Sequence, residues 1–224
     1  MDFVFKTTSA GLFIATSVAF TLAGRRDDQA SINILKTHIL PKLLDITCGS
    51  QIIHDQRRKI VPLAKGEVLE LGIGTGLNLP HYIPGRVTKI VGVDPADHFW
   101  NSKKSQQRRL HSDIPIERIE LSGENIPLPS QSFDSVVVTY TLCTIPDATK
   151  ALQEAKRLLR PGGKIYFLEH GKAPDEATAK WQRRVEPISK FLGGCCPGKD
   201  ILRLFEEAGL QIEEIQQECV PMGP

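Results

Sequence analysis

The chain carries little net charge: 28 basic and 26 acidic side chains leave +2 over 224 residues. It lacks cysteines in any paired spacing. The five, Cys48, Cys143, Cys195, Cys196 and Cys219, are odd in number, and none stand as C-x-x-C. It also lacks internal repeats and low-complexity tracts. An odd, unpaired set argues against a disulfide framework or a structural zinc site, and we expect no metal. It reads as free thiols in a reducing, cytosol-facing compartment. A hydrophobic fraction of 41% and a charged fraction of 24% exclude wholesale disorder and collagen-like or coiled-coil architecture. The charge is unevenly placed. Residues 1–26 hold Lys6, Arg25 and Arg26 against Asp2, which leaves the rest of the chain formally neutral. A neutral body lacks the basic footprint of a nucleic-acid binder, so no nucleic-acid partner is expected. No obligate protein partner is inferred either.

The uncharged run from Thr7 to Gly24 is 18 residues long and is flanked by Lys6 and Arg25-Arg26. As a helix it would span about 27 Å, close to the roughly 30 Å hydrocarbon core of a bilayer. Six of its residues are Ser or Thr, which weakens the signal. A cleaved secretory signal conflicts with the free cysteines. A mitochondrial presequence fits the Ser/Thr content but not the scarcity of arginine. A retained anchor over 1–26, spanning or interfacial, is the expectation, with the mitochondrial reading as the alternative. A helix packed on the domain, or a plain tail, also fits. The arginine pair after the run would leave the body on the cytosolic side of a membrane or lipid-droplet surface.

Residues 27–65 read as a helical extension. Ile32, Leu35, Ile39, Leu43 and Leu44 recur at helical spacing, Pro41 interrupts them, and a second helix covers 51–61. From residue 66 to 224 strands and helices alternate. Strands are predicted over 67–71, 88–93, 116–121, 132–139, 164–169 and 211–220. Helices are predicted over 96–111, 147–159, 176–192 and 199–208. That alternation predicts an α/β fold, a doubly wound parallel sheet with helices on both faces.

Glu70-Leu-Gly-Ile-Gly-Thr-Gly76 sits where the first strand ends. Gly72, Gly74 and Gly76 permit a tight turn and close approach to a ligand at the C-terminal sheet edge. The second strand ends in Asp94, 18 residues after Gly76, where an acid can accept hydrogen bonds from both hydroxyls of a ribose. Alternatively Asp94 simply caps the turn before Pro95. The spacing is G-x-G-x-G rather than the G-x-G-x-x-G that seats a pyrophosphate. Glu70 would repel a polyanion and attract a cation. A positively charged ribonucleoside without phosphate satisfies both demands, and S-adenosyl-L-methionine has that constitution.

These residues and their neighbours carry a family resemblance. Glu70 to Gly76, Gly92-Val-Asp94, Ser122-Gly-Glu-Asn-Ile-Pro-Leu128 with Ser132-Phe-Asp134, and Leu158-Leu-Arg-Pro-Gly-Gly163 resemble the type 11 class I S-adenosylmethionine-dependent methyltransferases. Asp94-Pro95, His98-Phe99, Glu169-His170, Trp181-Gln182, Glu186-Pro187 and Gly194-Cys-Cys196 extend the likeness to the membrane-associated thiol S-methyltransferase subfamily. The resemblance implies a Rossmann-like, mainly parallel sheet. It implies that Glu70, Gly72, Gly74, Gly76, Asp94, Pro95, Gly123, Glu124 and Thr139 bind the cofactor. It also implies a small hydrophobic thiol as acceptor, at the endoplasmic reticulum or lipid droplets. Two departures stand out. Ser122 replaces the acid often found near the adenine, and no segment is left for the seventh, antiparallel strand of the class.

Thiol methylation is an in-line displacement whose nucleophile is the thiolate. His170, with Glu169, falls at the end of the fifth strand and is the candidate base; capping of the strand end is the alternative. His81-Tyr82 either close over the donor or pack structurally. His98 reads as a helix N-terminal residue. Cys143 reads as a small pocket hydrophobe and Cys195-Cys196 as an inert turn. Three functions stay open: thiol methylation, carbon or oxygen methylation of a quinone, sterol or lipid, and non-catalytic cofactor binding at a lipid surface.

Overall fold

The computed structural model describes residues 48–217 except 174, 194, 195 and 197, with the backbone alone over 188–193. The apolar run 7–24, the helical reading of 27–47 and the segment 218–224 lie outside the described residues. Helix α1 is Gln51–Ile60, followed by a single 3-10 turn, Val61–Leu63. The chain then runs through β1 (Gly66–Leu71), β2 (Val87–Val93), α2 (Asp97–Trp100), α3 (Lys103–Leu110) and β3 (Ile116–Ile119). It continues with β4 (Phe133–Thr139), α4 (Ala148–Leu158), β5 (Leu159–Leu168), α5 (Glu176–Gly193) and α6 (Ile201–Glu207).

The five strands form one sheet in the order β3-β2-β1-β4-β5, and every pair is parallel. Neighbouring residues on a strand face opposite sides. Here both sides are covered, so the central strands carry buried apolar residues on both faces. Leu69, Val91, Val136, Val138 and Phe167 pack on one face with Leu152, Ala155 and Leu158 of α4 and Phe205 of α6. Val68, Ile90, Val137, Tyr166 and Leu168 pack on the other with Ile60 and Val61. The α4 stripe Ala148, Ala151, Leu152, Ala155, Leu158 follows the helical repeat and is buried. Asp147 starts that helix by accepting from the Lys150 amide at 3.0 Å.

Order reverses between β1 and β4: from β1 the chain winds outward to β2 and β3, then returns to β4. Ligands of doubly wound sheets bind at that switch point, outside the carboxyl ends of the strands. Glu70-Gly72 and Thr139-Tyr140 both fall there.

Three expectations need correction. The predicted sixth strand, 211–220, is no strand over 211–217. Ile212 packs on the core and Glu213 pairs with Lys164 of β5, so this segment lies along the sheet without joining its ladder. The polar 96–111 segment is two helices, because Ser102 breaks the run and caps α3 through the Ser105 amide at 3.2 Å. Arg160-Pro-Gly-Gly163 stops α4, as expected, but lies within β5. Leu159 already pairs with Phe133, and the register shifts before Ser135 meets Lys164.

Phe167 is 1% exposed and stacks on Phe205 with centroids 4.1 Å apart. Arg160, 38% exposed, bridges Glu67 at 2.5 Å and Asp134 at 2.7 Å on the surface. Urea unfolding should therefore separate the two sites. Phe167→Ala should lose about 3–5 kcal/mol by leaving a cavity, whereas Arg160→Ala should leave the unfolding midpoint almost unchanged, because exposed ion pairs contribute little.

Candidate active site

The turn after β1 is shaped by three glycines in the left-handed region: Gly72 at φ 71°, Gly74 at 49° and Gly76 at 75°. A Cβ on Gly72 would lie 2.0 Å from the Thr141 Oγ1, so the β1 turn and the β4 turn interlock there. A Cβ on Gly74 would meet nothing closer than 3.9 Å, the nearest atoms being an Asp94 oxygen and the Gly72 carbonyl. That open side is where a ligand can approach the main chain. The Gly74 amide donates to Asp94 Oδ2 at 3.0 Å, and the Ala96 amide donates to Oδ1 at 2.8 Å. Each Asp94 oxygen thus keeps a lone pair for a further donor. Burial raises the Asp94 pKa, and the two amides pull it back down.

Beneath the turn lies a buried polar cluster. Glu70, 1% exposed, accepts from Asn78 Nδ2 at 2.9 Å and from the Tyr82 hydroxyl at 2.7 Å. Asn78 also donates to Thr139 Oγ1 at 2.9 Å. Arg57 of α1, 3% exposed, donates through one terminal nitrogen to Asn78 Oδ1 and to Thr139 Oγ1, both at 2.6 Å. One buried cation and one buried carboxylate are thus joined through a shared amide and a hydroxyl. Burial pushes Glu70 up to about 7, against the pull of the Tyr82 and Asn78 hydrogen bonds and the Arg57 charge.

On the other side of the switch point, the ends of β4 and β5 are tied together. Glu169, fully buried, accepts from the Thr141 amide at 2.7 Å and the Leu142 amide at 3.0 Å through Oε1. Tyr140 is held at φ 51°, a conformation unusual for a tyrosine, and its amide donates to the Leu168 carbonyl at 2.8 Å. Its ring lies 5.3 Å beneath the Arg57 guanidinium and 6.1 Å from the His170 ring. His170 is half-buried beside Glu169 at the head of β5.

Of the residues singled out by sequence, Glu70, Gly72, Gly74, Gly76, Asp94 and Thr139 meet around this turn, and Glu169 and His170 stand at the adjoining strand end. Gly123 is close to them, since a Cβ there would lie 3.6 Å from Leu71. Glu124 turns elsewhere: it accepts from the Ser122 hydroxyl at 2.5 Å and from the Asp147 amide at 2.7 Å. Pro95 is exposed. His81 pairs with His54 of α1 at 2.9 Å. Burial, then the nearby His54, Arg57 and Arg58, push it down to about 4. Arg57, Asn78 and Tyr140 escaped the sequence reading. For Arg57 a signal existed: it falls with Ile53 and Ile60 on the buried stripe of α1, among basic residues that otherwise read as a solvated face.

Glu70 yields a test of this cluster. A carboxyl with a folded-state pKa near 7 holds its proton more tightly than in the unfolded chain, where it titrates near 4.5. That favours folding fully below pH 4.5, and the advantage is lost as pH rises towards 7. Holding the charge at pH 8 therefore costs about 3 kcal/mol at 1.36 kcal/mol per unit. Glu70→Gln should melt higher than the wild type at pH 8 and at about the same temperature at pH 4. A variant that melts lower at both would contradict this assignment.

The arrangement fits a cationic ribonucleoside: a glycine cradle open at Gly74, a carboxylate with free lone pairs for a ribose, and a carboxylate ready to ionise opposite a positive group. Residues 69–167 match the family model described as a methyltransferase domain. Human thiol S-methyltransferase TMT1B is 39% identical over 175 residues, covering 72% of this chain and 69% of its own. Human thiol S-methyltransferase TMT1A is 32% identical over 167 residues, covering 72% and 67%. The fold matches the crystal structure of a methyltransferase from Bacillus halodurans with a TM-score of 0.60 at 22% identity, over 72% of this chain and 70% of that one. The chain is therefore an S-adenosylmethionine-dependent methyltransferase of class I, and it belongs to the family that contains TMT1B and TMT1A.

Proposed function

We propose that the enzyme methylates a small hydrophobic thiol. The reading rests on the likeness to TMT1B, a thiol S-methyltransferase, at 39% identity over most of the chain. Bound over the glycine turn, S-adenosylmethionine supplies a methyl group on a sulfonium. Asp94 takes the ribose hydroxyls. Glu70, ionised once a cation is opposite, balances the positive end of the donor. Gly123 lies on the adenine side, with Glu124 and Pro95 shaping the loops there. Thr139 and Asn78 fix the orientation of Glu70. His170 accepts the acceptor's proton, and Glu169 holds the Thr141-Leu142 turn against which the acceptor rests. The thiolate then attacks the methyl carbon in line. The carbon–sulfonium bond breaks, its electron pair stays on the departing sulfur, and opposite charges are cancelled in the step.

Two measurements test this reading. By calorimetry, Asp94→Ala should weaken S-adenosylmethionine binding at least about 100-fold, the size of two charge-assisted hydrogen bonds. With a labelled donor and a panel of alkyl thiols, quinones, sterols and phospholipids, the label should appear on sulfur. Products labelled only on carbon or oxygen would overturn the thiol assignment.

We also propose that residues 1–26 attach the enzyme to the cytosolic face of the endoplasmic reticulum or lipid droplets. The uncharged run and its arginine flank support this reading. Among the described residues no helix is long and apolar enough to cross a membrane, and the run itself lies outside them. A fluorescent fusion of residues 1–30 should mark those membranes; label in the mitochondrial matrix or diffuse in the cytosol would refute it.

A further inference from the structure

Tyr140 stands out once the cofactor residues have been assigned. Its hydroxyl is buried and has no hydrogen-bond partner among the described residues. A buried hydroxyl without a partner is costly and uncommon. The backbone beneath it is held at φ 51°, which is strained for a bulky residue. Two contacts impose that conformation. The Tyr140 amide is bound to the Leu168 carbonyl, and the next two amides are bound to Glu169. The ring also has neighbours: the Arg57 guanidinium lies 5.3 Å from its centroid and the His170 ring 6.1 Å. Strain and a buried donor without a partner among the described residues coincide beside the switch point, on the β4-β5 side. The cofactor residues Gly74 and Asp94 lie on the β1-β2 side.

We propose that the Tyr140 hydroxyl donates a hydrogen bond to the acceptor sulfur, making it an acceptor-binding residue that favours thiols ionised only with help. The proposal rests on the thiol reading above. His170 and Tyr140 act on one atom in complementary ways: the imidazole takes the S–H proton, and the phenol donates to the resulting thiolate. The phenol keeps its own proton throughout, because burial raises its pKa above the ordinary value. In the transfer the S–C bond forms, the methyl–sulfonium bond breaks, and the thiol proton remains on His170. Stabilising a thiolate by one pKa unit raises its fraction tenfold and lowers its nucleophilicity about threefold, a net gain of about threefold. Orientation of the sulfur adds to that gain. The benefit goes to alkanethiols, whose pKa lies above neutrality. An acidic arenethiol, already ionised at pH 7, gains little from it.

Tyr140→Phe tests the proposal, since it keeps the ring beneath Arg57 and removes only the hydroxyl. At pH 7 kcat/KM for an alkanethiol should fall about tenfold, the size of one charge-assisted hydrogen bond. The value for an arenethiol should stay within about twofold, as should the affinity for S-adenosylmethionine measured by calorimetry. The melting temperature should not fall, because the hydroxyl lost has no partner among the described residues. Equal losses on both thiols, no loss on either, or a weakened donor affinity would each overturn the role. If the wild type methylates no thiol in the panel, the thiol reading fails and this role fails with it. If the wild type methylates thiols and Tyr140→Phe does so equally well, only this role fails.

Discussion

The structure at the switch point depends on one constraint: Glu70 is a buried carboxylate that must be satisfied from several directions at once. A lone charge in that position would be prohibitive. Asn78 and Tyr82 donate to it directly, and Arg57 supplies the opposite charge through Asn78 and Thr139. The members of the cluster come from three parts of the chain: α1, the loop after the glycine turn, and the end of β4. Satisfying one carboxylate therefore fixes the relative positions of three segments. A polar network of this kind penalises any rearrangement that leaves these paired groups unpaired.

The network also shows why α1 belongs to the site. The sequence reading places 27–65 ahead of the methyltransferase domain. Arg57, however, reaches the head of the sheet, and Ile60 and Val61 close the core beneath it. The helix is held by apolar packing and places its cation beside Asn78 and Thr139 at the head of the sheet. A positive group there neutralises part of the buried negative charge. The Glu70 pKa near 7 reflects the remaining balance, with desolvation outweighing the pairing. The carboxylate is thus poised near neutrality, able to ionise when a cation arrives. On the far side, Glu169 performs the equivalent holding task for the β4 turn, tying down two amides and leaving Tyr140 in its strained conformation.

Much of the sheet was legible beforehand because both of its faces are buried. β1, β2 and β4 are short apolar runs ended by glycine, aspartate or threonine, and each lies within a residue or two of its predicted span. The glycine turn and Asp94 were legible for a similar reason: local backbone demands leave a mark in local sequence. Gln211 to Val220 misled because an apolar residue among acids resembles strand alternation. Ile212 satisfies that pattern by packing, without backbone pairing. Arg57, Asn78 and Tyr140 were not legible as site residues. Their partners lie 21 to 82 positions away for Arg57, and nothing near them in sequence announces those contacts.

The sequence by itself determined the alternation of strand and helix, the glycine cradle with its acid at the end of the second strand, and the resemblance to class I methyltransferases. Those features arise from local propensity and from turns that only glycine makes easily. Only the tertiary structure decided which charge lies near Glu70, which strand ends adjoin the glycine turn, and which tyrosine hydroxyl is buried without a partner among the described residues. These depend on what the parallel sheet brings to one edge. Crossover connections separate strand ends by tens of residues in sequence and place them side by side in space.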